Sequence, residues 1–208
     1  MSKQTWFTAD THFGHANIVR SSARPFTSIE EHDEALVDNW NASVSPGDDV
    51  FHLGDFAFRN KTSAAAYRWR LHGNIHLIEG NHDAAAHHIR DSFVWYEQLH
   101  SIKVNDQAIV LCHYAMRIWH KSHHGAWHLY GHSHFSLPDD PNARSLDVGV
   151  DAVAGRLANL PAGTAITPGL TRPQDYRPTN FDEVAALMAR KTFTPIDHHG
   201  NQHATPNV

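Results

Sequence analysis

Cysteine is nearly absent: Cys112 stands alone in 208 residues. A lone thiol excludes an internal disulfide framework. Basic side chains are also scarce, with 17 lysines and arginines against 22 acidic residues and a formal charge of −5. That balance argues against strong nonspecific binding to nucleic acid. No apolar run approaches the roughly 20 residues that a membrane span requires. No basic segment followed by an apolar stretch precedes the first strand-like run. A secretory signal is therefore not expected, and the protein is read as cytoplasmic with no membrane partner. At 41% apolar and 19% charged, the composition is that of a globular chain. The length suits one domain over residues 1–190 followed by a flexible tail over 191–208.

What the chain has in excess is histidine, 20 in all, more than its lysines and arginines together. Histidine is the commonest metal ligand and titrates near neutral pH. His198, His199 and His203 fall in the polar tail and are read as incidental rather than metal-binding. Many of the others sit where strand-like runs end. The runs 5–9, 49–53, 75–79, 108–112 and 127–130 are followed or closed by Asp10-Thr11-His12, Gly54-Asp55, Gly80-Asn81-His82-Asp83, His113 and Gly131-His132-Ser133-His134. In layered α/β folds, sites collect where strands give way to loops. Asp10 and His12, and likewise His132 and His134, are two apart, which on an extended strand places both on one face.

Helical signals lie between these runs. Ser28 and Glu31 form a capping box opening a helix to about Trp40, with Ile29, Leu36, Val37 and Trp40 as its apolar stripe. The Ala-rich stretch 62–71 reads as helical. Asn180 and Glu183 cap a last helix through Phe181, Val184, Leu187 and Met188. Asn105-Asp106 marks a hairpin. Asp10, His12, Asp55, Asn81, His113, His132 and His134 together supply oxygen and imidazole ligands with no thiolate. Such a set suits a pair of divalent ions such as Mn²⁺, Fe, Ni²⁺ or Zn²⁺, with Mn²⁺ the first choice.

These blocks, in this order, resemble the signature of the calcineurin-like metallophosphoesterases: D-x-H, GD, GNH with a following acidic residue, H, and GHxH. The wording is most similar to the small bacterial and phage branch. The likeness covers residues 6–151 and resumes at Tyr176-Arg177-Pro178. It implies a four-layer α/β/β/α sandwich. It implies one metal on Asp10, His12 and His134, a second on Asn81, His113 and His132, and Asp55 bridging them. It implies His82 as the general acid facing the leaving group, oriented by Asp83. A phosphate-ester substrate follows, a diester first and nucleotide or nucleic acid among the classes. A phosphomonoesterase and a non-catalytic binding scaffold are the alternatives.

Other residues admit two readings. Asp83 can cap the helix after Gly80. His15 and Asn17 can contact phosphate, or Asn17 can cap a helix. Arg20 and Arg24 can reach substrate phosphate or lie solvated at the surface. His120, His123 and His124 sit on a loop between two metal blocks and can bind substrate or only rim the pocket. His52 is read as buried support, and Cys112 as core. Residues 147–151 read as a strand. Residues 152–175, rich in Pro and Gly, read as a loop insertion that the resemblance leaves unassigned.

Overall fold

The computed structural model describes residues 3–58 and 64–196. The first sheet is ordered β4-β3-β2-β1-β9. Its strands are β1 (Thr5–Thr8), β2 (Asp49–His52), β3 (Asn74–Ile78), β4 (Tyr96–Glu97) and β9 (Thr179–Asn180). The strands β1 to β4 run parallel, and β9 returns antiparallel to β1. The second sheet is ordered β5-β6-β7-β8, built from β5 (Leu99–Val104), β6 (Gln107–Cys112), β7 (Trp127–Tyr130) and β8 (Ser145–Asp147). There β5 and β6 form a hairpin, while β6, β7 and β8 run parallel. Asn105 and Asp106 both take positive φ, 46° and 66°, and Val104 pairs with Gln107 across them. That is a two-residue turn whose twist matches the strands it joins.

Strand alternation sorts the core. Phe7, Phe51, Ile109, Leu111, Trp127, Leu129 and Leu146 form one buried cluster from the facing sides of the two sheets. Their neighbours Trp6, Val50, Ile75 and Leu77 face the other way, into a second cluster with helical residues. The helices are α1 (Ala16–Ser21), α2 (Ile29–Ser43), α3 (Ala64–Arg68), α4 (Ala84–His87), α5 (Val150–Leu157) and α6 (Phe181–Met188). Leu36, Val37 and Trp40 of α2 are buried in the second cluster. Losing the Trp40 ring there would cost about 3–5 kcal/mol. The fold is therefore two sheets packed face to face and flanked by helices, the layered α/β class that the sequence implies.

The caps follow chemistry. Ser28 accepts the backbone N–H of Glu31, but the Glu31 carboxylate turns outward to Thr27 instead of closing the box. Asn180 and Glu183 close theirs reciprocally. Of the helical stretch expected over 62–71, α3 occupies the middle, and its start lies outside the described residues, as do His198, His199 and His203.

Two sequence expectations are corrected at the end of the second sheet. The strand expected over 147–151 stops at Asp147, and Gly149 then caps α5. The loop insertion expected over 152–175 begins as the body of that helix. Ala152, Val153, Ala154 and Gly155 are buried, so the chain here is core and not excursion. The reason is contact: a Cβ on Gly155 would meet the Phe135 ring at 2.6 Å. Beyond α5, residues 158–172 carry no helix or strand.

Candidate metal centre

Parallel strands deliver their ends to one edge. Asp10 lies two residues beyond β1, Asp55 three beyond β2, and Asn81 three beyond β3. His113 follows β6 directly, and His132 lies two beyond β7. The two sheets are stitched at this edge by a bridge between Ala9 and Gly149 and by the Val150 N–H bonded to the Ala9 carbonyl at 3.1 Å.

The local backbone is unusual. Asp10, His12, Asp55, His132 and His134 all have φ between +46° and +67°. Residues other than glycine occupy that region at a cost, and such sites gather where function needs a fixed geometry. This corrects the expectation of an extended strand for the Asp10/His12 and His132/His134 pairs. Turning through the left-handed region, Asp10 and His12 enter the same ligand group, whereas His132 and His134 enter different ones.

The side chains gather into two groups. Asp10, His12 and His134 form one, and Asp55, His113 and His132 the other. Within each group, one ligand atom per residue lies within 4.8 Å of the rest. Asp55 Oδ2 sits between them, 3.4 Å from His12 Nε2 and 3.5 Å from His113 Nε2. Asn81 Oδ1 joins the second group, 3.1 Å from His113 Nε2. These residues fit a pair of divalent cations. The donors are oxygen and imidazole, and His12 Nε2 is buried without a hydrogen-bond partner, which a bound cation would supply.

Partners behind the ligands fix their orientation. His113 Nδ1 bonds the Leu53 carbonyl at 2.7 Å, leaving Nε2 for a metal. His134 Nδ1 bonds Asp151 Oδ2 at 2.7 Å, leaving its Nε2 likewise. Asp10 accepts the His132 N–H on both oxygens at 3.0 Å. The Thr11 hydroxyl donates to the Phe56 carbonyl at 2.8 Å and lies 2.9 Å from His52 Nε2, so His52 supports the turn from behind, as the sequence suggests. Gly54 has φ +96°, and a Cβ there would strike His113 Nδ1 at 2.5 Å. Only glycine allows this approach.

At His12 and His132 the electrostatics favour the form that ligates a metal. Burial holds His12 well below its ordinary value, and His132 is also lowered by burial and by His113. Both imidazoles are neutral, the form that binds metal. Burial, with Asp147 and Asp55 nearby, pushes Asp10 up to about 7. Burial works against the His134 imidazolium, but the hydrogen bond and charge of Asp151 outweigh it and raise the group to about 9. Asp151 in turn is held below the usual carboxylate range, Arg24 overcoming the effect of burial.

Several candidates lie elsewhere than the sequence reading placed them. Arg24 does not reach toward substrate phosphate and is not at the surface. Its guanidinium is buried, donating to Asp151 and to the carbonyls of Asp10 and Thr11 at 2.7 and 3.2 Å. Asp83 does not orient the His82 ring. Its two oxygens accept N–H bonds from Gly80, Asp55 and Phe56, tying the turn after β3 to the turn after β2. It occupies the cap position of α4 but makes no capping bond. Asn17 is not a cap either, since His15 takes that position and Asn17 lies within α1, bonded to Arg20 at 3.4 Å. Arg20 is exposed. His123 lies in a short 3-10 turn with its ring 4.1 Å from that of His124.

His82 is half-buried and its backbone N–H donates to Asp55 Oδ1 at 2.9 Å. Its ring lies 5.3 Å from His12 and 5.7 Å from His15. Sequence reasoning missed Asp151 as a partner of the site. It also missed Phe58 and Tyr114, whose rings contact His15 and His82 on one side and His113 and His132 on the other. The adjacency of Tyr114 to His113 was the available signal.

The fold and the site define the class. An uncharacterized protein of Methanocaldococcus jannaschii, MJ1445, is 31% identical over 73% of this chain and 84% of its own. The Gene 66 protein of Mycobacterium phage L5 is 38% identical over 38% of this chain and 39% of its own. Among solved structures, a protein of unknown function from Aquifex aeolicus superposes over 89% of this chain and all of its own, with TM-score 0.62 and 18% identity. Yfce, a phosphoesterase from E. coli, aligns over 71% and 78% with TM-score 0.44 and 15% identity. No family model matches the sequence. The chain belongs to one family with MJ1445, and its five ordered motif blocks, assembled into two ligand clusters on two facing sheets, resemble the calcineurin-like metallophosphoesterase signature. Among the described residues no helix is long and apolar enough to cross a membrane.

Proposed function

We propose that this protein is a dinuclear metal-dependent phosphodiesterase. One observation carries the reading: a single carboxylate, Asp55, lies between two His-containing ligand groups, 3.4 and 3.5 Å from a ring nitrogen of each. Carboxylates can bridge two cations, and imidazoles cannot. Asp10, His12 and His134 would hold one ion, with Mn²⁺ the first choice. Asn81, His113 and His132 would hold the other, and Asp55 would join both. When bound, the two ions supply Lewis acidity to the phosphoryl group and lower the pKa of a water molecule.

The chain's own residues supply the rest. Asp151 and Leu53 fix the rings of His134 and His113 so that neither must reorganise during reaction. Water oxygen attacks phosphorus as one of its protons passes to solvent, the opposite P–O ester bond breaks, and the leaving oxygen takes a proton from the His82 ring, which solvent then reprotonates. The His82 backbone is pinned to Asp55, which sets the distance between acid and metal site. Two divalent ions also offset most of the −5 formal charge, so an anionic substrate is not repelled. The complete ligand set speaks against a non-catalytic scaffold.

The test is steady-state turnover of bis-p-nitrophenyl phosphate against p-nitrophenyl phosphate, with Mn²⁺, Fe²⁺, Ni²⁺ and Zn²⁺ in turn. The diester should be the better substrate. Dominant monoester turnover would reassign the protein as a phosphatase, and no turnover with any metal would favour the scaffold.

A further inference from the structure

Phe58 and Tyr114 are large rings left 36% and 47% exposed beside the ligand set. Phe58 stacks on His15 at 4.2 Å, nearly parallel at 15°, and lies 5.8 Å from the His82 ring. Tyr114 stands edge-on to His113 at 4.9 Å and to His132 at 4.8 Å. One ring therefore borders the side of the site that carries His82, and the other borders the second ligand group. Both are held in place by histidines already ordered for other reasons, so stacking a planar group on them costs little extra ordering.

Among the described residues, the two arginines of the loop and helix after His15 are committed to partners within the chain. The Arg24 guanidinium is buried against Asp151, Arg20 bonds Asn17, and the chain is acidic overall. Long polyanions are gripped by Lys and Arg contacts to successive phosphates. Aromatic platforms grip bases, and do so with little regard to sequence.

We infer that the substrate is a short nucleoside phosphodiester, of dinucleotide size, with Tyr114 and Phe58 as stacking platforms for the groups on either side of the scissile phosphate. This rests on the phosphodiesterase reading above. The experiment compares two substrates with one leaving group, thymidine 5′-(p-nitrophenyl phosphate) and methyl p-nitrophenyl phosphate, on the Mn²⁺-loaded protein. The nucleoside ester should be preferred in kcat/KM by roughly 5- to 100-fold, the range for one stacked base. Tyr114→Ala or Phe58→Ala should collapse that preference, chiefly through KM, and Tyr114→Phe should keep it. Calorimetric binding of adenosine 5′-monophosphate against ribose 5-phosphate should show the same discrimination and the same loss. Equal handling of both esters and equal binding of both monophosphates by the wild type would overturn the inference while leaving the diesterase reading intact. A preference that survives both alanine variants would also overturn it. So would a higher kcat/KM on a long single-stranded oligonucleotide than on a dinucleotide. If neither ester turns over but the base-dependent binding is present and lost in Tyr114→Ala, the stacking site stands and the diesterase reading falls.

Discussion

Arg24 and Asp151, 127 residues apart, meet fork to fork: Nε donates to Oδ1 at 2.9 Å and Nη2 to Oδ2 at 2.7 Å, with both side chains fully buried. The same carboxylate oxygen holds His134 Nδ1, and the same guanidinium holds the Asp10 and Thr11 carbonyls. The pair thus connects both ends of the first ligand group. Removing one partner of such a pair leaves an uncompensated buried charge, so Arg24→Ala should lose about 3–5 kcal/mol of unfolding free energy, measured by urea denaturation in EDTA. Asp151→Asn keeps the shape but frees His134. Affinity for the ion held by Asp10, His12 and His134 should fall roughly 10- to 100-fold, with the second ion little changed. Unaltered binding of both ions, by Mn²⁺ titration, would show that Asp151 has no part in ligation.

The bridge makes a stoichiometric prediction. Loaded wild-type protein should carry about two ions per chain by elemental analysis, and Asp55→Ala should lose both. Asp55 is shared by contacts to His12 and His113, so neither group is complete without it. A variant that retains one tightly held ion would mean that the two groups bind independently and that Asp55 belongs to one of them.

Much of this site was legible in sequence because parallel strands leave their polar ends on one edge. Apolar runs closing in Asp, Asn or His at β1, β2, β3, β6 and β7 could only gather there. Arg24 was not legible. In Ala23-Arg24-Pro25 it reads as an ordinary loop residue, and its partner arrives only after the second sheet is complete. Asp83 misled for a related reason: its neighbour His82 suggests a side-chain pair, whereas burial directs its oxygens to three N–H groups. The helix α5 was hidden by Gly149 and Gly155. A glycine inside a helix is unfavourable by about 1 kcal/mol, and only the Phe135 ring pressed against Gly155 explains its presence.

Two other histidines predict how stability responds to pH. Burial pushes His52 down to about 3 and His128 down to about 4. His128 is bonded within 3.2 Å to the Val110 carbonyl and the Met116 N–H, a neutral donor–acceptor arrangement. In the unfolded chain both titrate near 6.5. Between those values the unfolded state binds protons that the folded state refuses, so the stability contributed by these two histidines falls as pH drops below 6.5, against the opposite contribution of the buried Asp10 and Asp83 carboxylates, which are raised to about 7 and about 6. Each group contributes about 1.4 kcal/mol per pH unit over that window. Urea midpoints at pH 5, 6 and 7 in EDTA, compared between wild type and His128→Gln, should differ in slope by one group's share. An unchanged slope would mean that His128 is already protonated in the fold.

The last prediction concerns His82 as general acid. Its ring sits 5.3 Å from that of His12, yet neither ligand group includes it, so His82→Ala should keep both ions. The rate loss should then depend on the leaving group. Nitrophenolate departs readily without a proton, so hydrolysis of a nitrophenyl diester should fall modestly. A ribose or alkyl oxygen is far more basic and needs protonation as the P–O bond breaks. Its loss should be on the order of 10²- to 10⁴-fold, the usual effect of a positioned acid. The measurement pairs both diesters on wild type and His82→Ala, with metal content determined on the same samples. Equal losses on both substrates, with both ions retained, would reject the acid role and assign His82 to phosphate binding instead. Loss of metal would place it among the groups that hold the ligand cluster in shape.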